Sequence, residues 1–251
     1  MKEARNRVVQ VRRFGGPDGL EVVDAPLPTA GRGEVRVRVL ASGLEYTDVL
    51  IRRHLYPQTM RRRPPFVLGY DVVGEINQLG NGVSGFQLGD RVADMTVVGS
   101  NAAYCTLRAD RLTRVPPGLD AAEVATLILS WTTAYQLLHR AARVQPGQRV
   151  LVQGAAGAVG QALLVLGRLT GLELWGTARG EHAALIRELG ATPTTNAKTS
   201  HASCRAGSTS CSTASPRTVT AAPSRRSSAA ACSAPMATRR ACRRSVACSP
   251  C

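Results

Sequence analysis

Apolar and polar residues alternate over short segments in the first half of the chain. Residues 33–43 (GEVRVRVLASG) alternate valine with arginine, which predicts a strand with one solvated face. Residues 66–80 predict strands interrupted by glycine, and residues 86–95 predict a turn followed by a strand. Short strands at close spacing, separated by Gly and Pro turns, favour a small β-barrel.

The apolar period changes near residue 120. Residues 120–144 are typical of a helix, with Asp120 as its N-cap and Glu123 in the position of a capping box. A buried strand at 149–153, a glycine-rich turn and a helix to about residue 169 follow.

A second strand and a second helix complete this pattern. The strand is predicted at 172–178 and the helix at 181–191, with Gly190 just past the helix end. Strand, glycine turn, helix and strand in succession form a βαβ unit. The fold class is therefore α/β. We predict a β-rich domain at 1–118, a partial nucleotide-binding domain at 119–193 and a tail at 194–251.

The tail differs sharply in composition from the rest. Its large aliphatic residues are Val219, Met236 and Val246, and it has no aromatic residue. Such a segment cannot bury enough apolar surface to offset the entropy of ordering, so we predict that it is disordered. It carries nine Lys and Arg and no acidic residue, whereas residues 1–193 hold 23 Lys and Arg against 17 Asp and Glu. Most of the net charge of +15 thus lies in the tail.

Three interpretations of the tail remain open: a nucleic-acid tail, a metal or disulfide module, or a segment without function. Its arginine pairs have no aromatic residues between them to stack on bases. Its six cysteines match no zinc spacing, and only His201 lies among them.

The codons of the tail suggest an origin for its composition. Ala, Ser, Thr, Arg, Cys, Pro and Gly have G or C in the second codon position, and a one-base slip in a GC-rich gene would produce such a mixture. Reading the tail's first two codon bases as the last two of an original codon turns residues 194–200 into DYQREDF. The same reading turns residues 206–216 into GGVDVVFDGIA, a strand-like run closed by Asp-Gly. The hypothesis is a frame shift at or just after Pro193.

The remaining sequence is consistent with a cytoplasmic protein. Cys105 is the single cysteine of residues 1–193, which suits a reducing compartment. The chain opens without the apolar core of a signal peptide. The longest uncharged run, residues 150–167, contains four glycines and reads as buried structure, so no membrane partner is expected.

The glycine turn predicts a dinucleotide site because it follows a buried strand and opens a helix. A tight strand–helix turn without a ligand is the simpler alternative. In the first interpretation Gly157 allows close approach of a pyrophosphate and Gly160 allows close helix packing. The expected cofactor-binding residues of the turn are Gly154, Ala156, Gly157, Ala158, Val159 and Gly160.

The end of the second strand indicates which dinucleotide. NAD sites place an acid there to hold the ribose 2′-hydroxyl. This chain has Thr177 and Ala178 at that point, followed by Arg179, which suits a 2′-phosphate. We predict NADPH as cofactor, although Arg179 could also be a solvated loop residue.

Taken together, these motifs resemble the zinc-independent medium-chain dehydrogenase/reductases of the quinone oxidoreductase, or zeta-crystallin, type. The resemblance covers residues 8–193. It rests on ASGLEYTDVLIRRHLYP (41–57), GYDVVGEINQLGNGVSGFQLGDRV (69–92), TTAYQLL (132–138), GAAGAVG (154–160) and GATP (190–193). It implies a GroES-like barrel domain followed by a Rossmann domain, with the active site between them. The re-read segments also resemble the family's continuation.

The resemblance further implies hydride transfer to a quinone or conjugated enone. Tyr46 and Asp48 would lie at the mouth of the substrate site as catalytic residues, and Thr133 would line the cofactor cleft. Tyr46 could donate a hydrogen bond to the carbonyl that is reduced, or it could be a packed aromatic residue of a loop. The family often has Asn where this chain has Glu45. Zinc-dependent relatives hold their metal near positions 44 and 70–71, where this chain has Leu44, Tyr70 and Asp71, so no catalytic zinc is expected. His54 and His139 are interpreted as a loop and a helix-surface histidine.

The frame-shift hypothesis affects function as well. A six-stranded Rossmann sheet has its first strand in the middle, so a chain that leaves the frame at 193 lacks strands four to six and exposes an edge. We expect an impaired reductase. The alternatives are a binding subunit that associates with intact family members, which the resemblance implies are homodimers, and a nucleic-acid binder working through its basic tail.

Overall fold

The computed structural model describes residues 5–194 and 217–220, and the chain divides into two units between Thr132 and Thr133. The N-terminal unit contains β1 (Arg5–Val11), β2 (Leu20–Pro26), β3 (Glu34–Ala41), α1 (Tyr46–Arg52), β4 (Phe66–Val67), β5 (Asp71–Leu79), β6 (Arg91–Met95), β7 (Tyr104–Arg108), β8 (Thr113–Arg114) and most of α2 (Ala121–Tyr135). The C-terminal unit contains a π-helix (Gln136–Ala141), β9 (Arg149–Gln153), α3 (Ala158–Leu169), β10 (Glu173–Thr177), α4 (Ala183–Glu188), β11 (Thr192–Thr194) and β12 (Arg217–Thr220).

Two antiparallel sheets build the N-terminal unit. Their strand orders are β2-β1-β4 and β7-β3-β5-β6-β8. An isolated antiparallel bridge pairs Val8 of β1 with Ala102, which lies shortly before β7. The alternation in β3 has the predicted effect, because Val35 and Val37 are fully buried while Arg38 is exposed on the other face. The buried valines pack with residues of β5, β6 and β7 into one apolar core.

Helix α2 explains why the units divide at Thr132 and not at the predicted residue 118. Its residue Ala125 is buried against Val73 and Ala93, which belong to β5 and β6. The first part of the helix therefore packs with the N-terminal unit. Asp120 caps the helix as predicted, since its Oδ1 accepts hydrogen bonds from the amides of Ala122 and Glu123 at 2.9 and 3.0 Å.

Two helix bounds differ from the predictions. The helix predicted over 120–144 ends at Tyr135 and continues as the π-helix, after which Arg143 adopts a positive φ of 49°. The helix predicted over 181–191 is confined to α4 and is preceded by a 3-10 turn at Gly180–His182. Gly190 has φ +84° directly after the α4 C-cap, as the sequence predicts.

A parallel sheet in the order β11-β10-β9-β12 forms the C-terminal unit. The first strand of the βαβ unit, β9, lies inside this sheet, and β10 pairs with it over five residues. This is the order 3-2-1-4 of a Rossmann sheet, so the predicted α/β class and partial Rossmann domain are confirmed.

The strand β12 is a departure from the prediction for the tail. Arg217–Thr220 pairs in parallel with Val150–Gln153 on the side of β9 that was predicted to be an exposed edge. A central strand presents unpaired N–H and C=O groups there, and an extended segment satisfies them. Thr194, the first residue of the predicted tail, ends β11 and pairs with Thr177. Residues 195–216 and 221–251, which include the re-read residues 206–216, lie outside the described residues.

None of the helices within residues 5–194 combines the length and apolar character needed to cross a membrane.

Candidate cofactor and substrate sites

The glycine turn is fixed against the end of β10. The Gly154 amide donates to Thr177 Oγ1 at 3.2 Å, and the Ala155 amide donates to the Thr177 carbonyl at 3.0 Å. Gly154 has φ +68°, a conformation that favours glycine. The amide of Gly157 closes the turn by donating to the Gly154 carbonyl at 3.0 Å.

Gly160 is required by packing. A Cβ atom at this position would lie 2.3 Å from the Gly154 carbonyl oxygen and 2.7 Å from the Ala155 Cα. Both are backbone atoms, so the first turn of α3 could not lie so close to the glycine turn with any larger residue. The predicted role of Gly160 in helix packing thus has a direct geometric basis.

Gly157 has no such internal requirement. Its φ is −78°, and the nearest atom to a Cβ would be the Gly154 carbonyl oxygen at an ordinary 3.4 Å. Gly157 is exposed, as are Gly154 and Ala158. A glycine that neither the backbone nor the packing demands is consistent with close approach of a ligand, as in dinucleotide sites.

The start of α3 offers hydrogen-bond donors beside this glycine. Gly157 is the N-cap, and the first amides of a helix, here those of Ala158, Val159 and Gly160, have no partner within the helix. Together with the helix dipole they favour an anion at this end. The Ala156 carbonyl accepts a hydrogen bond from Gln161 Nε2 at 2.9 Å, which links the glycine turn to the first turns of α3.

Thr177 holds the turn in place from within. It is 3 % exposed, and its hydroxyl is the acceptor for the Gly154 amide. Thr177 stands in the sequence where NAD sites have an acid. In the structure its side chain supports the glycine turn.

Arg179 lies just beyond β10 with an exposed side chain, 3.6 Å from a carboxylate oxygen of Glu181. It lines a cavity of about 170 Å³ at the carboxyl ends of β10 and β11. Arg187 of α4 and the chain at Pro193 and Thr194 line the same cavity. Arg187 was not among the predicted site residues. Its place on the helix predicted after the second strand was the one signal in the sequence that could have indicated it.

Thr133 lies in the last turn of α2 and is half-buried at the start of the C-terminal unit. Its role in lining a cofactor cleft stays a prediction.

The second group of predicted site residues lies on α1. Tyr46 is its first residue and is 50 % exposed. Asp48 is 2 % exposed, and its Oδ2 accepts a hydrogen bond from the Glu45 amide at 2.8 Å. Its Oδ1 has no hydrogen-bond partner among the described residues. Asp48 therefore fixes the start of the helix that carries Tyr46, while Tyr46 itself is accessible.

Asp71 anchors the segment before α1. It is fully buried, and its Oδ1 accepts a hydrogen bond from the Gly43 amide at 2.7 Å. Burial raises the pKa of Asp71 and also that of Asp48 above the ordinary aspartate value. Burial and the charges of Asp71 and Asp48 raise the pKa of Glu45 as well. Three carboxyl groups thus surround the segment between β3 and α1.

Leu44 and Tyr70 stand at the positions where the sequence resemblance implies zinc ligands in zinc-dependent proteins. Leu44 is 84 % exposed, and Tyr70 is buried with its hydroxyl 2.7 Å from that of Tyr56. Cys105 is buried in the β3–β5–β7 core, and burial raises the pKa of its thiol to about 12. Within the described part of the chain, no three His, Cys, Asp or Glu residues are arranged to hold a metal ion.

The two histidines occupy the predicted kinds of position. His54 lies in the turn after α1 with its ring 4.1 Å from that of Phe14. His139 lies on the π-helix and packs against Tyr135.

Comparison with known proteins agrees with this architecture. Residues 31–117 match the alcohol dehydrogenase GroES-like domain. The quinone oxidoreductase of Rattus norvegicus is 37 % identical over 179 residues, which are 70 % of this chain and 53 % of the rat protein. The structure of mycobacterial Rv1454c complexed with NADPH superposes with a TM-score of 0.69 at 32 % identity, over 75 % of this chain and 58 % of the other. This chain is thus similar in sequence and fold to oxidoreductases of the quinone oxidoreductase type.

The similar proteins include reductases of more than one kind, since one is named a quinone oxidoreductase and another an enoyl reductase. The CurK enoyl reductase has a TM-score of 0.72 at 28 % identity, with 78 % of this chain and 61 % of CurK covered. The chain spans about half the length of the rat relative. The family resemblance and the GroES-like fold inferred from the sequence are thereby confirmed.

Proposed function

We propose that the chain derives from an NADPH-dependent reductase that transfers hydride, without zinc, to a quinone or a conjugated enone. The observation that carries this proposal is Gly157. It is an exposed glycine at the N-terminus of α3 that neither its φ nor its surroundings require. A pyrophosphate group supplies the reason for it.

The residues present fit NADPH. The amides at the start of α3 would bind the pyrophosphate, while the wall of the cavity beside Arg179 and Arg187 would take the 2′-phosphate. When bound, NADPH supplies the hydride. The name of the mycobacterial relative's complex supports the choice of cofactor.

On the substrate side, Tyr46 is the residue with an accessible hydroxyl. We infer that it donates a hydrogen bond to the carbonyl oxygen of the acceptor, which stabilises negative charge as it develops there. Asp48 is a positioning residue, because it holds the Glu45 amide and is too buried to contact a substrate directly. Leu44 and Tyr70 are not good zinc ligands, and Tyr70 directs its hydroxyl to Tyr56. This favours hydride acceptors, such as quinones and conjugated enones, that are electrophilic without a metal.

Isothermal titration of the full chain with NADPH and NADH tests the cofactor. NADPH is expected to bind at least about tenfold more tightly, a difference of about 1.4 kcal/mol. Arg179→Gln should remove most of that preference and leave NADH binding unchanged. Arg140→Gln, an exposed arginine on the π-helix, is the matched control and should behave like the wild type. Equal affinity of the wild type for the two nucleotides would refute the assignment.

We further infer that catalysis by this chain is impaired. The described parallel sheet has four strands, and its fourth, β12, comes from the compositionally distinct tail. A six-stranded sheet would place two further strands beyond it. The second candidate function is a binding subunit that pairs with intact relatives in a reducing, cytoplasmic compartment. Co-purification with an intact relative would favour this role, whereas elution alone with measurable turnover of NADPH and benzoquinone would favour an enzyme.

A further inference from the structure

The segment between α1 and β4 is held against the core of the N-terminal unit. Tyr56 packs on the apolar cluster around Tyr70, and the hydroxyl oxygens of these two residues lie 2.7 Å apart. A 3-10 turn follows at Pro57–Thr59, and the buried Thr59 donates a hydrogen bond from its hydroxyl to the Tyr56 carbonyl at 3.1 Å. Residues 53–63, which we name the basic loop, therefore present their exposed side chains from a fixed backbone.

The basic loop carries positive charge that stays unpaired within residues 5–194. Its exposed cations are Arg53, Arg61, Arg62 and Arg63. From residue 49 to residue 70 the sequence contains five arginines and no Asp or Glu. In the described part of the chain, arginines such as Arg38 and Arg114 form ion pairs with carboxylates, whereas the exposed arginines of the loop form none. A polyanion can therefore bind here without displacing an internal partner.

Ring contacts bring the two ends of the basic loop together. The Arg62 guanidinium carbon lies 5.8 Å from the centre of the Phe66 ring. The centre of the Phe66 ring is 6.1 Å from that of Phe14, which is 4.1 Å from that of His54. His54 directly follows Arg53, so the arginines at both ends of the loop border one aromatic cluster and share one part of the surface. The packing of Arg62 on Phe66 also restrains this side chain before any ligand binds.

Two large aliphatic side chains are exposed between these arginines. Leu55 is 61 % exposed and Met60 is 48 % exposed. Neither belongs to the apolar cluster that Tyr56 joins below the loop. The Met60 amide donates to the Pro57 carbonyl at 3.4 Å, which keeps Met60 close to the residues that follow Leu55. The loop thus presents apolar groups and unpaired cations side by side.

We propose that the basic loop docks on a membrane that contains anionic phospholipids. The arginines lie among the lipid phosphates in this arrangement, and Leu55 and Met60 insert between the headgroups. Membrane anchoring generally takes two signals, and this loop supplies an electrostatic and an apolar one. The sequence predicts no membrane partner because it lacks a spanning segment, but docking at the membrane surface needs none. The proposal does not depend on the reductase function.

The apolar residues favour a membrane over other polyanions. Nucleic acids are bound through their phosphates, and exposed aliphatic side chains add little to such binding. A membrane places acyl chains directly beneath its phosphates, so Leu55 and Met60 gain free energy by leaving water there. The same two side chains therefore distinguish a lipid surface from nucleic acid in an experiment.

Vesicle flotation of the full chain tests the proposal. The vesicles consist of phosphatidylcholine alone or with about 30 % phosphatidylglycerol, which supplies the anionic surface. We expect the partition coefficient to be at least about tenfold larger for the anionic vesicles and to fall as salt rises. Equal partition of the wild type onto both kinds of vesicle would overturn the proposal, whatever the variants do.

Charge variants separate the basic loop from the basic tail. Arg53→Gln/Arg61→Gln/Arg63→Gln retains Arg62 and should lower the partition coefficient onto anionic vesicles at least about tenfold. Arg53→Lys/Arg61→Lys/Arg63→Lys retains the charge and should bind like the wild type, because a fluid lipid surface does not require the paired hydrogen bonds of arginine. Unchanged binding of the Gln variant would assign vesicle binding to the tail and overturn the proposal.

A pair of apolar substitutions tests insertion. Leu55→Ser/Met60→Ser should lower the partition coefficient onto anionic vesicles at least about threefold, since two aliphatic groups no longer leave water. The loop keeps all its charge in this variant, so binding to a DNA duplex should not change. Full vesicle binding by this variant would mark a general polyanion surface and overturn the membrane assignment.

Matched controls come from exposed positions outside the loop. Arg7→Gln/Arg32→Gln/Arg140→Gln removes the same charge as the Gln variant of the loop. Leu88→Ser/Leu119→Ser removes leucines that are 61 % and 45 % exposed, close to the values of Leu55 and Met60. Both controls should bind anionic vesicles like the wild type. Equal losses in loop and control variants would contradict the proposal.

An acidic protein is the remaining kind of partner that the charge would suit. Polyglutamate added at the same concentration of negative charge as the phosphatidylglycerol separates the two. We expect the chain to stay on the vesicles, because polyglutamate offers no acyl layer to Leu55 and Met60. Complete displacement would favour an acidic protein partner and overturn the membrane assignment.

Discussion

At the residue scale, two glycines of one turn meet different demands. Backbone atoms of the glycine turn leave no room for a side chain at position 160, whereas position 157 has room for a methyl group. Packing explains the first glycine, and we propose ligand binding as the reason for the second. The sequence left two alternatives for this turn, a dinucleotide site and a tight turn without a ligand. An alanine substitution at each glycine, which adds one methyl group, distinguishes them.

The first prediction concerns stability. Gly160→Ala should lower the free energy of unfolding by about 1–3 kcal/mol, because the new methyl group overlaps backbone atoms that cannot move independently. Gly157→Ala should cost much less, since its φ suits alanine and its nearest neighbour is at a normal distance. Urea unfolding of the two variants compares them directly. Equal destabilisation would contradict the packing argument.

The second prediction is the converse for the ligand. Gly157→Ala should weaken NADPH binding at least about tenfold while the protein stays folded, because the methyl group would occupy the space of the pyrophosphate. Titration calorimetry measures it, and Gly31→Ala in the N-terminal unit, where the atom nearest to a Cβ is the carboxylate oxygen of the Glu34 side chain at 3.0 Å, is the control. Unchanged NADPH affinity in Gly157→Ala would remove the observation on which the proposed function rests.

The third prediction concerns pH. Since burial raises the pKa of Asp71, the folded protein holds this proton more tightly than the unfolded chain. The free energy of unfolding should therefore fall as pH rises from the ordinary aspartate pKa through the folded-state pKa. Asp71→Asn keeps an acceptor for the Gly43 amide and loses the charge, so the fall should become shallower and stability at neutral pH should increase.

Urea unfolding at several pH values checks this expectation. Asp110→Asn is a control with the opposite sign, because the hydrogen bond from Arg108 lowers the pKa of Asp110. Removing the Asp110 charge should not make the fall of the free energy of unfolding with pH shallower. An Asp71→Asn profile that runs parallel to that of the wild type would show that Asp71 is not the titrating group.

At the element scale, local patterns decided what could be predicted. Strand β9 has the bounds that the sequence predicts, and α3 ends where expected, because an apolar run and a glycine turn define them locally. The division at Thr132 depends on Ala125 packing against β5 and β6, a contact between distant segments that periodicity cannot reveal. The second, supporting role of Thr177 was missed for the same reason. No apolar pattern in the sequence predicts the strand β12. It forms because the unpaired edge of β9 offers hydrogen-bonding groups to an extended segment.

The fourth prediction tests that edge. A chain ending at Thr194 lacks β12, so amides of β9 that pair with it should exchange with deuterium at least about tenfold faster, and the exposed edge should promote self-association. Hydrogen exchange of residues 149–153 and sedimentation velocity measure the two effects. Removing only residues 221–251 retains β12 and is the control. If both truncations exchange alike, β12 does not protect the edge.

At the scale of the whole molecule, the two units differ in how much of the family pattern they retain. The N-terminal unit contains the segment that matches the GroES-like domain, and its strands pair into two sheets. The C-terminal unit has a Rossmann strand order for its four described strands, and the last of them follows the change in composition at residue 194. The cofactor cavity is bordered by Pro193 and Thr194, so the change falls at the edge of the site that we assign to NADPH.

The fifth prediction follows from this position. If the frame is lost near codon 193, inserting one base there restores the re-read DYQREDF and GGVDVVFDGIA and, with them, apolar strands in place of the tail. The restored chain should turn over NADPH with an enone or quinone at least about 100-fold faster than this chain, which corresponds to about 2.7 kcal/mol of activation free energy. Its Arg179→Gln variant should lose the preference for NADPH, which shows that the gain uses the same cofactor site. Equal turnover of the restored and present chains, or a DNA sequence around codon 193 whose present frame is shared by related genes, would refute the frame shift and leave the tail as a native part of the protein.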